Sequence, residues 1–161
     1  METQTATSKT PNQIMTLFEE QVQLTGIKEF GLSWEDMIQG KAGIPPEGAR
    51  FDISFEGDLK GPQIEGRIRG VDYLTIRADG RHMLRIYATV ITNDGESIAL
   101  EEDGILIPDS ENPEKASLQF SMKFTTAVTK YAWLKNLPVW ATGNIDRVTG
   151  SVYVRAFSLS N

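Results

Sequence analysis

The stretch PQIEGRIRGVDYLTIRADGRHMLRIYATVITNDGESIALEEDGILI (Pro62–Ile107) decides the fold. Two Asp-Gly pairs, Asp79-Gly80 and Asp94-Gly95, divide it into runs rich in Ile, Val, Thr and Tyr. Alternation of apolar and polar side chains with a period of two is the mark of a strand with one buried face. An Asp-Gly pair between such runs supplies the positive φ that a tight hairpin needs. The stretch therefore predicts three successive antiparallel strands.

The hairpin register settles which polar residues are buried, because a slip of one residue turns every side chain to the other face. A two-residue turn at Asp79-Gly80 would set Arg77 against His82 and Leu74 against Arg85. A three-residue loop, Ala78-Asp79-Gly80, sets Ile76 against His82, Leu74 against Leu84 and Asp72 against Ile86. The second groups aliphatic with aliphatic and is preferred. The same loop at Asn93-Asp94-Gly95 sets Val90 against Ile98 and Ala88 against Leu100. The inner face then carries Asp72, Leu74, Ile76, His82, Leu84, Ile86, Ala88, Val90, Ile98 and Leu100. Asp72 and His82 are its two polar members. They stand four strand positions apart, roughly 13 Å at about 3.3 Å per residue, and cannot form a dyad. The simplest role for each is a rim position with a local hydrogen bond. The functional one is to orient or protonate a ligand.

The opposite face carries Tyr73, Thr75, Arg77, Arg85, Tyr87 and Thr89. Tyr73 falls across from Arg85, a natural stacking pair. Tyr73, Arg77, Arg85 and Tyr87 read as ordinary outer surface, or else as a subunit interface or the wall of an everted pocket.

Outside this stretch the alternation continues. Phe51, Ile53 and Phe55 share one face, as do Ala116, Leu118, Phe120, Met122 and Phe124, and a last strand spans Val152–Leu159. Six to nine strands separated by turn signals predict an all-β fold, a single antiparallel barrel or sandwich of meander hairpins. Upstream, residues 1–9 are polar and read as disordered. Thr10-Pro11 followed by Ile14, Leu17, Phe18 and Val22, with Gly26 beyond, predicts an amphipathic helix over 11–24. Ser33 with Asp36 resembles a capping box and predicts a second, short helix over about 34–39, ended by Gly40. The expected division is thus a disordered 1–9, a helical extension 10–49 packed on the sheet as a lid or plug, and a barrel over 50–161.

Composition removes many functions. The chain of 161 residues has no cysteine, one histidine and a formal charge of −6. Disulfides, thiolate catalysis and Cys-ligated metal are excluded. A multi-His metal site within one subunit is excluded as well. The acidic balance argues against nucleic-acid binding, which needs a basic face. No apolar run reaches the roughly 18 residues of a membrane-spanning helix, and the N-terminus lacks the apolar core of a secretory signal. A cytoplasmic location is expected, with no metal, no cofactor and no membrane partner. Glu101-Glu102-Asp103 reads as a solvated turn.

A second informative stretch is YAWLKNLPVWATG (Tyr131–Gly143). Its aromatics are costly to expose, so Tyr131, Trp133 and Trp140 are expected in the core or at a cavity edge. With Phe55-Glu56-Gly57, Gly61-Pro62, Gly70-Val71-Asp72-Tyr73, Arg77-Ala78-Asp79-Gly80, Thr92-Asn93-Asp94-Gly95, Phe124 and Thr142-Gly143, this stretch gives the chain a family resemblance over roughly residues 50–159. It resembles the bacterial domain of unknown function 3237 (DUF3237, UPF0311). That resemblance implies a small antiparallel β-barrel, no agreed activity and no obligatory cofactor. Gln119, Arg85 and Lys135 depart from the family's commoner residues, whereas Asp72 and Arg77 keep them.

Three functions fit these readings. The first is a barrel that binds a small, partly apolar molecule in its lumen, with Tyr131, Trp133 and Trp140 as walls and Asp72 and His82 as orienting groups. The second is an isomerase, cyclase or lyase that uses Asp72 as acid or base. The third is a structural module that forms a homo-oligomer through its Tyr/Arg face.

Overall fold

The computed structural model describes residues 13–159, and in it the Asp-Gly stretch forms strands β3 (Glu65–Ile76), β4 (His82–Thr92) and β5 (Ser97–Pro108). The expected register holds: Asp72 lies opposite Ile86, Ile76 opposite His82, Val90 opposite Ile98 and Ala88 opposite Leu100. Both turns are the three-residue loops. The Arg77 N–H donates to Arg81 O and the Thr92 N–H to Glu96 O, with Gly80 and Gly95 at φ of 92° and 88°. Those angles lie in the left-handed region that glycine enters without a Cβ penalty.

Five more strands complete the sheet: β1 (Ile14–Glu29), β2 (Ala49–Lys60), β6 (Lys115–Thr125), β7 (Val139–Asp146) and β8 (Ser151–Leu159). They run in sequence order, every neighbour antiparallel, and β1 pairs with β8 to close a barrel of eight strands. The inward positions are the predicted ones. Phe51, Leu74, Ile76, Val90, Ile98 and Leu100 are almost wholly shielded from solvent. Side chains of this size each contribute about 1.5–3 kcal/mol on burial. Glycine recurs on the inward face where strands approach most closely. A Cβ at Gly104 would lie 2.0 Å from Gln119 O, and one at Gly70 would lie 2.4 Å from Tyr87 O. The barrel coils tightly at these rows because no side chain intrudes.

The N-terminal reading needs correction. Residues 14–24 form strand β1 of the barrel, not a helix, so the barrel begins well before residue 50. Two bulges disguise the strand. Thr16 pairs with Phe157 and Phe18 with Ala156, so Leu17 is an extra residue and two adjacent apolar side chains are both buried. Thr25 is the second extra residue, between Leu24 and Gly26. The first break turns a period-two pattern into apolar residues at 14, 17, 18 and 22, the spacing of a helix. What decides between them is tertiary: as a strand, the segment pairs on both edges and seals the barrel. The reading of residues 1–9 lies outside the described residues.

The short helix is present as α1 (Trp34–Ile38), and Ser33 caps it by accepting the Asp36 N–H at 3.1 Å. It plugs one end of the barrel. Trp34 packs edge-on against Phe51 at 5.0 Å and its indole N–H donates to Arg147 O at 3.2 Å. At the other end the β6–β7 connection forms a 3₁₀ helix (Thr129–Leu134) with Tyr131 and Leu134 buried.

Candidate functional site

Asp72 lies in the middle of β3 and points into the lumen, buried, not at the rim where a turn-capping role would place it. The ladder between β3 and β4 skips Tyr73 and Leu74, and at this gap the Arg85 N–H donates to Asp72 Oδ1 at 3.1 Å. Two more carboxylates join it. Glu102 lies across from Ile86, which lies across from Asp72, so Asp72 and Glu102 share one row of inward positions. Glu20 points inward from β1 between Leu59 and Val154. In an eight-stranded meander β1 and β5 are opposite walls with β3 midway between them. A barrel of this size has a lumen just wide enough for side chains to meet. Glu20, Asp72 and Glu102 thus converge on the lumen from three walls.

Two of these carboxylates were not anticipated, and one expectation about them is corrected. Glu101-Glu102-Asp103 is not a solvated turn: it lies within β5, with Glu101 and Asp103 outside and Glu102 only 4% exposed. The signal was available, since Glu102 is two residues beyond Leu100 on the same face. Glu20 was hidden by the helical reading of β1.

No positive charge among the described residues compensates the cluster. Among the described residues, no ion pair includes Glu20, Asp72 or Glu102. Glu20 Oε2 is buried with no hydrogen-bond partner at all. Burial in aliphatic surroundings penalises the charged form. It lifts the Glu20 carboxyl to about 8. It also lifts Asp72 to about 7, helped by the charge of Asp52 and opposed by the Arg85 N–H. Glu102 is raised well above its ordinary value by burial, then by the charges of Glu20 and Asp72. Groups poised between protonated and ionised forms near neutrality can donate and accept protons in turn. Among the described residues no set of three or more His, Asp or Glu is arranged to hold a metal ion.

The remaining predicted site residues are dispersed. His82 is buried at the plugged end, at the start of β4. Its Nδ1 lies 2.8 Å from Gly80 O and its Nε2 3.5 Å from Arg147 Nη1. It is thus apart from Asp72, as its register position required. Burial holds its pKa below the ordinary imidazole value, and the charge of Arg147 acts in the same direction. Arg147 is itself buried, donating from Nε to Pro113 O at 3.0 Å, with a second bond to that oxygen from Nη2.

Tyr131, Trp133 and Trp140 do not form a common wall. Tyr131 is buried at the opposite end and spends its hydroxyl on Asp94 Oδ1 at 2.9 Å. Lys130 Nζ reaches Asp94 Oδ2 at 2.7 Å, so Asp94 fastens the 3₁₀ helix to the β4–β5 loop. Trp133 is half-buried against the core, and Trp140 is 43% exposed on the outer surface near Phe157, with ring centroids 6.5 Å apart. The expectation that Trp140 lines the lumen is therefore corrected. Its inward neighbours on β7 are Val139 and Ala141.

The Tyr/Arg face is the outer surface, so the barrel is not everted. Tyr73 stacks edge-on with Tyr87 at 6.1 Å, and its cation is Arg50 at 5.4 Å instead of Arg85. Arg85 pairs with Asp103 at 3.7 Å, and Arg77 with Asp79. A groove of about 610 Å³ crosses this side, with Tyr87, Glu56, Arg69 and Glu101 along it. Neither it nor the neighbouring depressions are lined by the buried carboxylates.

No helix among the described residues is long and apolar enough to cross a membrane. No curated protein matches the chain. Several solved structures share its fold. A β-barrel-like protein from Acinetobacter baumannii AYE is 23% identical, with a TM-score of 0.73 over 95% of this chain and 99% of that one. A protein of unknown function from Clostridium acetobutylicum ATCC 824 is 19% identical, with a TM-score of 0.74 over 95% and 100%. An enzyme from Penicillium herquei is 19% identical, with a TM-score of 0.59 over 96% and 100%. At these identities the likeness is one of fold. The sequence profile of DUF3237, a family described as proteins of unknown function, matches residues 40–159, most of the barrel, and the chain therefore belongs to that family.

Proposed function

We propose that the barrel binds a small, partly apolar molecule in its lumen, and that Glu20, Asp72 and Glu102 exchange protons with it. The reaction class that suits this is an isomerisation, cyclisation or elimination driven by acid and base. One observation carries the reading: three buried carboxylates converge in an aliphatic lumen with no cation among the described residues and with one oxygen lacking any partner. A purely structural barrel gains nothing from this arrangement, because each uncompensated carboxyl costs stability that an aliphatic side chain would restore. Asp72 is the group best placed as the proton donor or acceptor. Its Oδ1 is anchored by the Arg85 N–H, which fixes its orientation. The enzyme from Penicillium herquei supports the reading to the extent that a protein of this fold is an enzyme.

Native mass spectrometry of freshly purified protein tests it. The wild type is expected to carry a small molecule that the Asp72→Asn, Glu102→Gln double variant loses. A ligand-free wild type whose Asp72 titrates as an ordinary exposed carboxylate would overturn the proposal.

A further inference from the structure

We infer that the molecule the lumen takes is a cation, a primary ammonium on a compact apolar body, with its N–H groups directed at Glu20, Asp72 and Glu102. This rests on the lumen-binding reading and narrows its ligand class.

The charge balance of the interior supports it first. Buried carboxylates are ordinarily matched by Lys, Arg or a metal. Here the buried guanidinium, Arg147, is at the plugged end and is engaged by the Pro113 carbonyl and His82. Lys and Arg side chains elsewhere in the described ion pairs are all on the outer surface, half or more exposed. Among the described residues nothing supplies a counter-charge to the cluster, so its carboxyls are held towards the protonated form until a cation enters. An anionic ligand would add a further negative charge to a site of low dielectric. A neutral alcohol or ketone would leave the carboxyls protonated and gain no charge attraction.

Hydrogen-bonding geometry supports it second, and independently of charge. Glu20 Oε2 is an unpartnered oxygen on a side chain only 3% exposed, and it belongs to the wall opposite Glu102. Asp72 has one oxygen engaged by a backbone N–H. A primary ammonium presents three donors around one nitrogen, one for each of the three walls that bring a carboxyl. Leu59 and Val154 flank Glu20, Ile86 lies between Asp72 and Glu102, and Leu100 is the next inward residue on β5, so the surroundings suit hydrocarbon. When such a cation binds, the cluster becomes ionised and gives up its proton to the solvent, so binding is linked to proton release.

Butylammonium, butanol and butyrate are suitable probes, being alike in shape and different in charge. Each is titrated into the full-length protein at pH 7 by calorimetry, in two buffers of different ionisation heat, with a thermal melt alongside. Butylammonium is expected to bind at least tenfold more tightly than butanol, with release of about one proton, whereas butyrate does not bind. Glu20→Gln and Glu102→Gln each remove a carboxylate while keeping the shape, and each is expected to weaken butylammonium tenfold or more. Equal binding of butanol and butylammonium would overturn the cation and leave lumen binding intact. Unchanged butylammonium affinity in both variants would place the probe on the acidic outer surface and overturn the inference. Failure of all three probes would overturn it too, and a co-purified molecule seen by mass spectrometry would then still uphold the lumen reading.

Discussion

The barrel buries charge in two places and treats it in opposite ways. At the plugged end, Arg147 is as well hidden as Glu102, yet its guanidinium is bonded to Pro113 O and faces a ring nitrogen of His82. Its own carbonyl takes the Trp34 indole N–H, so this one residue ties α1, β4 and the loop before β6 together. In the middle of the barrel, Glu20 keeps an oxygen with no partner, and among the described residues no cation is paired with the cluster. A satisfied buried charge is a clasp, and its removal breaks the structure. An unsatisfied one is a standing cost, and its removal relieves the structure. The comparison separates scaffold from candidate site without any appeal to function.

The largest expected effect breaks the clasp. Arg147→Met should lower stability by about 3 kcal/mol, since it strands a carbonyl and loosens three segments at once. Urea denaturation at neutral pH measures it. A change below about 0.5 kcal/mol would show that the clasp is not structural. Glu102→Gln should act with the opposite sign, raising stability by about 2 kcal/mol at pH 8 and changing little at pH 5, because it removes a carboxyl that burial keeps from ionising. A loss of stability at pH 8 would mean that the cluster holds the fold together and is not a site.

The two regions also titrate in opposite directions. Asp72 at about 7 and Glu20 at about 8 stay protonated in the fold where the unfolded chain would ionise. Their contribution is full below the unfolded values of about 4 and is lost as pH rises towards 7 to 8. Each can change stability by up to about 1.4 kcal/mol per pH unit across that interval. His82, with its pKa depressed, acts the other way: its contribution is present above about 6.5 and is lost as pH falls. The wild type should therefore gain stability as pH falls from 8 towards 5, with His82 subtracting from the slope below about 6.5. His82→Gln should remove that subtraction and steepen the gain between pH 6.5 and pH 5. A profile that falls steadily from pH 8 to pH 6.5 would contradict the carboxyl shifts.

Most of the barrel was legible because its strands obey a strict period of two and its central turns carry Asp-Gly. From those two features alone the register of β3, β4 and β5 followed, and with it the inward placement of Asp72 and His82. The capping box at Ser33 was equally plain, since the hydroxyl and the Asp36 N–H are local partners. β1 was not legible, because bulges at Leu17 and Thr25 break the period and only pairing with β8, far away in sequence, restores a strand. The site suffered accordingly. Asp72 was found, Glu102 was passed over although the register reached to within two residues of it, and Glu20 was beyond reach while β1 read as a helix. The aromatic stretch misled for a different reason. Large size argues for burial on average, but the alternation on β7 overrides it and sends Trp140 outward.

A smaller effect distinguishes the cover at the other end. Tyr131→Phe removes one of the donors that hold Asp94 well below the ordinary carboxylate range, after the larger contributions of Lys130 and Thr92. The lost bond ties the 3₁₀ helix to the β4–β5 loop, so the amides of residues 129–134 should exchange roughly fivefold faster, the factor one hydrogen bond is worth. Hydrogen exchange followed by mass spectrometry resolves that segment from the strands. Protection lost over β4 and β5 as well would mean that Tyr131 stabilises the barrel as a whole, not its cover.

The smallest effect falls on Trp140. Its ring is 43% exposed and its nearest aromatic neighbour, Phe157, is also on the outer surface. Nearly half of its surface is therefore already in water, and Trp140→Thr, which keeps a β-branched residue on the strand, should cost no more than about 1 kcal/mol. The same variant should bind butylammonium as the wild type does, because β7 sends Val139 and Ala141, not Trp140, towards the lumen. Calorimetry on this variant beside Glu102→Gln is thus a direct comparison of outside with inside. If Trp140→Thr weakened the ligand as much as Glu102→Gln does, the binding surface would be the outer face of the barrel, and the unpaired carboxylates would be a cost without a purpose.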